Sequence, residues 1–163
     1  MKKIITVFIS LFFLAQLQAQ QNIQKVKIND LIKIIDTTSV PLVVNFWSTT
    51  CKPCVAEIPY FQTLVKKYEA DSVQLWLVSL DMPEAYPHKI SAFASKHQFV
   101  APILWLDETN ADYFCPIIDP SWSGAIPATV FIHRKTGYRH FQEMKITPEK
   151  LDQLLKQMLK PAL

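Results

Sequence analysis

The feature of this sequence that most limits its fold is a pair of cysteines, Cys51 and Cys54, placed where a strand passes into a helix. Residues 41–47 ahead of the pair form a β-branched and aromatic run of the length expected for a strand buried on both faces. Residues 51–69 carry apolar side chains at helical spacing, and residues 73–80 form a second apolar run. This order predicts a βαβ unit, in which a right-handed crossover joins two parallel strands.

The remainder of the chain continues in the same pattern and gives no indication of a second domain. Capping residues and turns divide it into a helix capped by Asn29, a helix at 88–97, a strand at 103–106, an irregular segment at 107–124, an antiparallel pair at 129–133 and 138–143, and a final helix at 147–159 capped by Thr147. The expected fold class is therefore α/β, with a central mixed sheet flanked by helices.

Residues 1–19 have the three parts of a secretory signal peptide. Lysines near the N-terminus precede an apolar run that ends at Ala15, and polar glutamines follow it. The run is shorter than a membrane-spanning helix, which needs about 20 apolar residues. We expect cleavage after Ala19, so that residues 20–163 form a single exported domain with the periplasm as its location.

The composition argues against several kinds of ligand. A formal net charge of +3 in 163 residues gives no support for a nucleic-acid partner. The chain has 2 glycines, so a phosphate-binding loop for a nucleotide cofactor is not expected. The 4 histidines do not stand at the spacing of a second pair of zinc ligands. The sequence therefore predicts neither a cofactor nor a metal ion.

The close cysteine pair indicates a chemically reactive site and not a stabilising disulfide. An exported domain with only 3 cysteines does not depend on disulfides for its stability. A sulfur in the first turn of a helix faces unpaired backbone N–H groups and the positive end of the helix dipole, which favour its thiolate. Cys51 is therefore the candidate nucleophile, with Lys52 as a nearby positive charge, and Cys54 is the candidate resolving thiol. An inert structural disulfide and half of a zinc site are the alternatives.

Three segments stand in an order that is characteristic of a known family. They are residues 44–47 (Val-Asn-Phe-Trp), the motif Cys51-x-x-Cys54-x-x-Glu57-x-Pro59, and residues 124–132 (Gly-Ala-Ile-Pro-Ala-Thr-Val-Phe-Ile) with Gly137 in the turn that follows. With these segments the chain resembles the TlpA/ResA-like branch of the thioredoxin superfamily. The resemblance implies a thioredoxin-like fold and a thiol–disulfide oxidoreductase activity.

The resemblance also implies a substrate-binding surface beside the cysteine pair. In that family the proline matching Pro127 is cis, and the backbone before it hydrogen-bonds a bound substrate chain as an added strand. The candidate substrate-binding residues are Trp47, Lys52, Pro53, Ile126 and Pro127. Thioredoxin itself carries an isoleucine before this proline, which favours a reductase.

A third candidate catalytic residue is Glu57. Thioredoxin has a buried aspartate ahead of its first cysteine, whereas this chain has Asn45 at that place, as its TlpA/ResA-like relatives do. An amide cannot shuttle a proton, and Glu57 lies one helical turn beyond Cys54, where it matches the glutamate of the family motif. The alternative is a solvated glutamate that the helix dipole favours in a first turn.

The chain departs from the family pattern in two places. Segment 107–124 is longer and more aromatic than in the simplest members, and it fits either a peptide-recognition surface or plain core. Cys115 within it is expected to be a buried hydrophobe and not a third redox thiol. Lys52 and Pro53 stand where thioredoxin has Gly-Pro, so the redox potential of thioredoxin cannot be carried over.

These observations predict an exported, monomeric disulfide reductase. Its expected partners are other exported proteins with disulfides, apocytochromes awaiting haem among them, and a membrane thiol reductase as electron donor. The alternatives are a disulfide oxidase or isomerase, and a copper-binding chaperone with a thioredoxin fold, although such chaperones usually space their cysteines by three residues. A peroxidase is weaker still, because no arginine is adjacent to the cysteine pair.

Overall fold

The computed structural model describes residues 22–161, so the predicted signal peptide at 1–19 lies outside the described residues. Within them the elements follow in the order β1 (Gln24–Val26), α1 (Ile28–Thr37), β2 (Leu42–Trp47), α2 (Lys52–Lys67), β3 (Gln74–Ser79), α3 (His88–Lys96), β4 (Ile103–Leu106), α4 (Ala111–Ile118), β5 (Ala128–His133), β6 (Tyr138–Glu143) and α5 (Pro148–Met158). Each helix within residues 22–161 is too short or too polar to span a bilayer.

The strands form one six-stranded sheet in the order β1-β4-β3-β2-β5-β6. Strand β2 lies at its centre, parallel to β3 and antiparallel to β5, and β4 and β1 continue the parallel half. Strand β6 closes the opposite edge, antiparallel to β5. The predicted βαβ unit and the mixed sheet are therefore confirmed.

The helices cover both faces of the sheet, and alternate residues of β2 belong to different core layers. Val43 and Trp47 pack in the layer that contains side chains of α2, α3 and α5. Val44 and Phe46 pack in the layer that contains side chains of α1 and α4. Since side chains alternate along a strand, Asn45 points to the same layer as Val43, toward α2.

The structure differs from the sequence prediction at two elements, helix α4 and strand β1. Segment 107–124 was expected to be irregular, but it contains helix α4, which buries Phe114, Cys115 and Ile118 on one side. Pro116 lies inside that helix, and an apolar stretch of only 8 residues shows too little periodicity to be recognised. Strand β1 was not predicted, because 3 residues carry no detectable alternation.

The two predicted helix caps have opposite outcomes. Helix α1 begins at Ile28 with Lys27 in the cap position, so the prediction that Asn29 caps this helix is wrong. Asn29 is exposed in the first turn instead. At helix α5, the side chain of Thr147 accepts a hydrogen bond from the backbone N–H of Lys150 at 3.3 Å, which confirms the predicted cap.

Candidate active site

Cys51 and Cys54 form a disulfide at the start of helix α2. Cys51 occupies the cap position, and its Sγ accepts a hydrogen bond from the backbone N–H of Cys54 at 3.3 Å. Cys51 is half-buried, whereas Cys54 has no exposed surface. The difference in exposure makes Cys51 the accessible residue of the pair.

The peptide bond between Ile126 and Pro127 is cis and lies beside the disulfide. The carbonyl oxygen of Ile126 is 3.7 Å from the Sγ of Cys51, although 75 positions separate the two residues in sequence. Pro127 is buried, while Ile126 is half-buried at the surface. The cis proline expected from the family resemblance is therefore present, with the backbone before it next to the accessible sulfur.

The other three predicted substrate-binding residues lie in different environments. Lys52 and Pro53 are exposed in the first turn of α2, beside the disulfide. Trp47 has no exposed surface and packs against Phe93 and Phe99. The prediction that Trp47 belongs to the substrate-binding surface does not fit this position, because a side chain enclosed in the core offers no area to a bound polypeptide.

Glu57 lies beneath the cysteine pair on the same helix and is fully buried. Its Oε1 accepts a hydrogen bond from Asn45 Nδ2 at 2.8 Å, and its Oε2 accepts one from the backbone N–H of Ile146 at 3.1 Å. The Asn45 amide also donates to Thr129 Oγ1 at 3.0 Å. The carboxyl group thus accepts hydrogen bonds from strand β2 and from the loop before α5, and it is not a solvated helix-start glutamate.

Burial raises the pKa of Glu57 to about 7, although the hydrogen bonds from Ile146 and Asn45 and the charge of Lys145 act in the opposite direction. A carboxyl group with this pKa can accept and return a proton near neutral pH. Asn45 Oδ1 has no hydrogen-bond partner among residues 22–161. The Asn45 side chain therefore keeps an unused acceptor oxygen when the carboxyl group of Glu57 is protonated.

Cys115 is separate from this chemistry. It is buried in helix α4 and forms no disulfide. Burial, with smaller contributions from Glu143 and Asp112, raises the pKa of its thiol to about 11. A thiol with so little thiolate at neutral pH is a poor nucleophile, which agrees with the expectation of a packing role.

Three residues around the site were not found by sequence reasoning. Thr129 is a polar residue within the apolar strand β5, and this interruption was the available signal. Ile146 contributes only its backbone N–H, which no side-chain pattern reports. Glu143 ends strand β6 and accepts hydrogen bonds from the loop before Pro127, and nothing in the sequence around it indicates this contact.

No group of three or more histidine, cysteine, aspartate or glutamate side chains within residues 22–161 is placed to hold a metal ion. The candidate site described above consists of two sulfurs, one buried carboxyl group and the backbone of the cis-proline loop.

A disulfide that opens the helix after a central parallel strand, and that faces a cis-proline at the start of an antiparallel strand, defines the thioredoxin-like class of proteins. Residues 13–140 match the model of the AhpC/TSA family, and the chain belongs to this family.

Curated relatives agree with the TlpA/ResA-like resemblance. The chain is 26% identical over 121 residues to the thiol-disulfide oxidoreductase ResA of Oceanobacillus iheyensis, covering 74% of this chain and 58% of that protein. It is 36% identical over 80 residues to the thioredoxin-like protein YneN of Bacillus subtilis, covering 48% of this chain and 46% of that protein. The chain thus spans about half the length of these two relatives.

Among solved structures, a thioredoxin-related protein from Neisseria meningitidis serogroup B superimposes with a TM-score of 0.63 at 24% identity. The match covers 76% of this chain and 89% of that protein. This likeness shows that the fold is shared.

Proposed function

We propose that this protein is a thiol–disulfide oxidoreductase that reduces disulfides in other exported proteins, in the periplasm. The observation that carries the proposal is the disulfide between an accessible Cys51 and a buried Cys54, placed against the carbonyl of Ile126. An inert structural disulfide has no need of a half-buried, accessible cysteine at a helix start. The names of the ResA relatives support the same activity.

The reaction begins with the reduced pair. The thiolate of Cys51 attacks one sulfur of a client disulfide; that bond breaks, a mixed disulfide with Cys51 forms, and the other client sulfur leaves as a thiolate that takes up a proton. Cys54 then attacks the Cys51 sulfur, which releases the second client thiol and closes the Cys51–Cys54 disulfide. The client gains two electrons and the pair loses two.

We propose that Glu57 accepts the proton of Cys54 in the second step. The carboxyl lies one turn along the helix, is buried as Cys54 is, and has a pKa of about 7. Re-reduction of the pair requires an external dithiol, for which a membrane thiol reductase is the expected donor. A monomeric state is expected for the protein during this cycle.

The proposal is tested by replacing each cysteine with serine. Cys54→Ser removes the resolving attack, so a disulfide-bonded polypeptide is expected to remain attached to Cys51 as a mixed disulfide that mass spectrometry detects. Cys51→Ser is expected to trap no client, because the remaining thiol is buried. Cys115→Ser is the matched control and should neither trap a client nor lose activity. Equal adducts from Cys54→Ser and Cys51→Ser would contradict the mechanism.

A further inference from the structure

The loop that leads into the cis-proline is held by one carboxylate on the edge strand β6. Glu143 Oε2 accepts a hydrogen bond from the backbone N–H of Ser123 at 3.1 Å. Its Oε1 accepts one from the backbone N–H of Ala125 at 2.8 Å and another from the hydroxyl of Ser123. Three donors of one short loop therefore converge on a single side chain that lies outside the loop.

A hydrogen bond from the buried Trp122 side chain also holds this loop, on its core side. The indole Nε1 of Trp122 donates to the carbonyl oxygen of Ala125 at 2.8 Å, and the Trp122 ring packs on Phe46 with 4.8 Å between ring centroids. Both backbone groups of Ala125 are therefore occupied within the protein. Between the two held residues, Gly124 has a φ of +97°, a backbone conformation that other residues rarely adopt. The loop thus has one defined course.

Ile126 is the next residue, and its backbone is free to pair with another chain. Its N–H has no hydrogen-bond partner within residues 22–161, and its carbonyl oxygen lies 3.7 Å from Cys51 Sγ. A client that binds as an added strand would use these two groups, since those of Ala125 are already taken. The position of the Ala125–Ile126 peptide then decides where the client disulfide sits relative to Cys51.

We propose that Glu143 is a positioning residue, whose carboxylate sets the place of the Ala125–Ile126 peptide and so governs how tightly a polypeptide client docks beside Cys51. This inference rests on the proposed function. The hydrogen bond from the Ser123 hydroxyl, more than any other contact, holds the pKa of Glu143 below its ordinary value, so the group is an anion at neutral pH. An anion suits the site because only acceptors can satisfy three converging donors.

Glu143→Gln is the sharpest variant. It keeps the size of the side chain but places an NH₂ group where one carboxylate oxygen accepted, so at least one of the three hydrogen bonds is lost. Gln142→Ala is the matched control, since Gln142 is the neighbouring residue of β6 and adjacent residues of a strand point to opposite faces of the sheet. Ser123→Ala removes the hydroxyl contact alone and gives an intermediate case.

The assay is reduction of insulin, a disulfide-bonded polypeptide, by each full domain with dithiothreitol as reductant. For Glu143→Gln we expect KM to rise about tenfold, the loss of roughly one net charge-assisted hydrogen bond, with kcat within about twofold of wild type. Gln142→Ala should match wild type in both constants. An unchanged KM in Glu143→Gln, or a fall in kcat alone, would overturn the proposal.

Amide hydrogen exchange supplies a readout that does not depend on activity. The amides of Ser123 and Ala125 should be protected in wild type and in Gln142→Ala, and should exchange at least about tenfold faster in Glu143→Gln. Equal protection in all three proteins would overturn the inference even if the proposed function holds. Failure of wild type to reduce insulin would instead contradict the proposed function, while the exchange data would still decide whether Glu143 holds the loop.

Discussion

The charge of Glu57 is decided by a balance between burial and hydrogen bonding. Burial outweighs the two hydrogen bonds and raises the pKa from 4.5 to about 7. The folded protein therefore holds a proton on this group over a pH range in which the unfolded chain has released it. Stability from this source is fully present below about pH 4.5 and is lost as the pH rises to about 7.

Glu57→Gln should remove this pH dependence, because an amide does not titrate. Between pH 4.5 and 7.5 the free energy of unfolding of wild type is expected to fall relative to that of the variant. The relative slope should approach about 1.4 kcal/mol per pH unit and the total should be about 2–3 kcal/mol. Urea unfolding of the oxidised proteins across this range measures the difference.

The control for this experiment is Glu69→Gln, because Glu69 is exposed just beyond the end of helix α2. Its stability curve should run parallel to that of wild type. A Glu57→Gln curve that also runs parallel to wild type would mean that the carboxyl of Glu57 titrates in the folded protein as it does in water.

The same substitution tests the proposed proton transfer. Glu57→Gln should fold and should still form a mixed disulfide through Cys51, but its resolving step should be slower, by at most about 10²-fold, with an altered pH dependence. Stopped-flow measurement of thiol–disulfide exchange from pH 5 to 9 separates the attack by Cys51 from the release by Cys54. Superimposable wild-type and variant profiles would exclude Glu57 from this step.

Sequence reasoning named Cys51, Cys54 and Glu57 as candidate site residues, and the structure places all three around the start of helix α2. It did not name residues whose place near the site depends on a contact with a distant part of the chain. Cys51, Cys54 and Glu57 stand in one motif at three-residue intervals along one helix start. Their spacing in sequence therefore fixes their relative positions on one face of the helix. Glu143 becomes recognisable only when β6 lies beside the loop that it holds. Trp47 was misplaced because its position next to the motif says nothing about which core layer encloses it.

At the scale of secondary structure, the longer periodic segments were predicted correctly from the sequence, whereas two short elements were not. Helix α2, with 16 residues, and the six-residue strands β2 and β3 were predicted because each buries enough side chains to show a pattern. Helix α4 was not predicted, and it contacts the edge strand β6. Arg139 on β6 donates to the carbonyl oxygen of Ile118 at the end of this helix, at 2.5 Å.

Helix α5 contributes to the site through its N-terminal end. The residue before its cap, Ile146, donates to Glu57, and the Thr147 side chain fixes the first turn of the helix. Thr147→Ala should lower the free energy of unfolding by about 1 kcal/mol, the usual cost of losing an N-cap. Urea denaturation measures it, with Thr109→Ala as the control at an exposed threonine. Equal stability of both variants would show that the cap contributes nothing.

At the scale of the molecule, sheet topology brings the two halves of the site together. Strand β2 is parallel to β3. Cys51 follows the carboxyl end of β2 and therefore lies at that end of the sheet. Strand β5 is antiparallel to β2 and begins at that same edge, which places Pro127 opposite the cysteine pair. The sequence predicted both elements, but their meeting depends on strand order, which local patterns do not encode.

The surroundings of the pair also bear on the direction of electron flow. A dithiol is a strong oxidant when its reduced form is stabilised, chiefly through a stable thiolate. Here Cys54 has no exposed surface, and Glu57, which is ionised in part at neutral pH, is buried on the same helix. Burial and a nearby negative charge both disfavour a thiolate at Cys54. The helix start and Lys52 favour one only at Cys51.

The proposed reductase activity requires a reducing potential for the whole domain, so we expect a value clearly below about −180 mV, the potential of protein disulfide isomerase. Equilibration of the purified protein in glutathione redox buffers, followed by alkylation and mass spectrometry, measures it. Cys115→Ser should give the same midpoint, since the buried thiol of Cys115 takes no part. A midpoint at or above about −180 mV would identify an oxidase or isomerase and reverse the proposed direction of electron transfer.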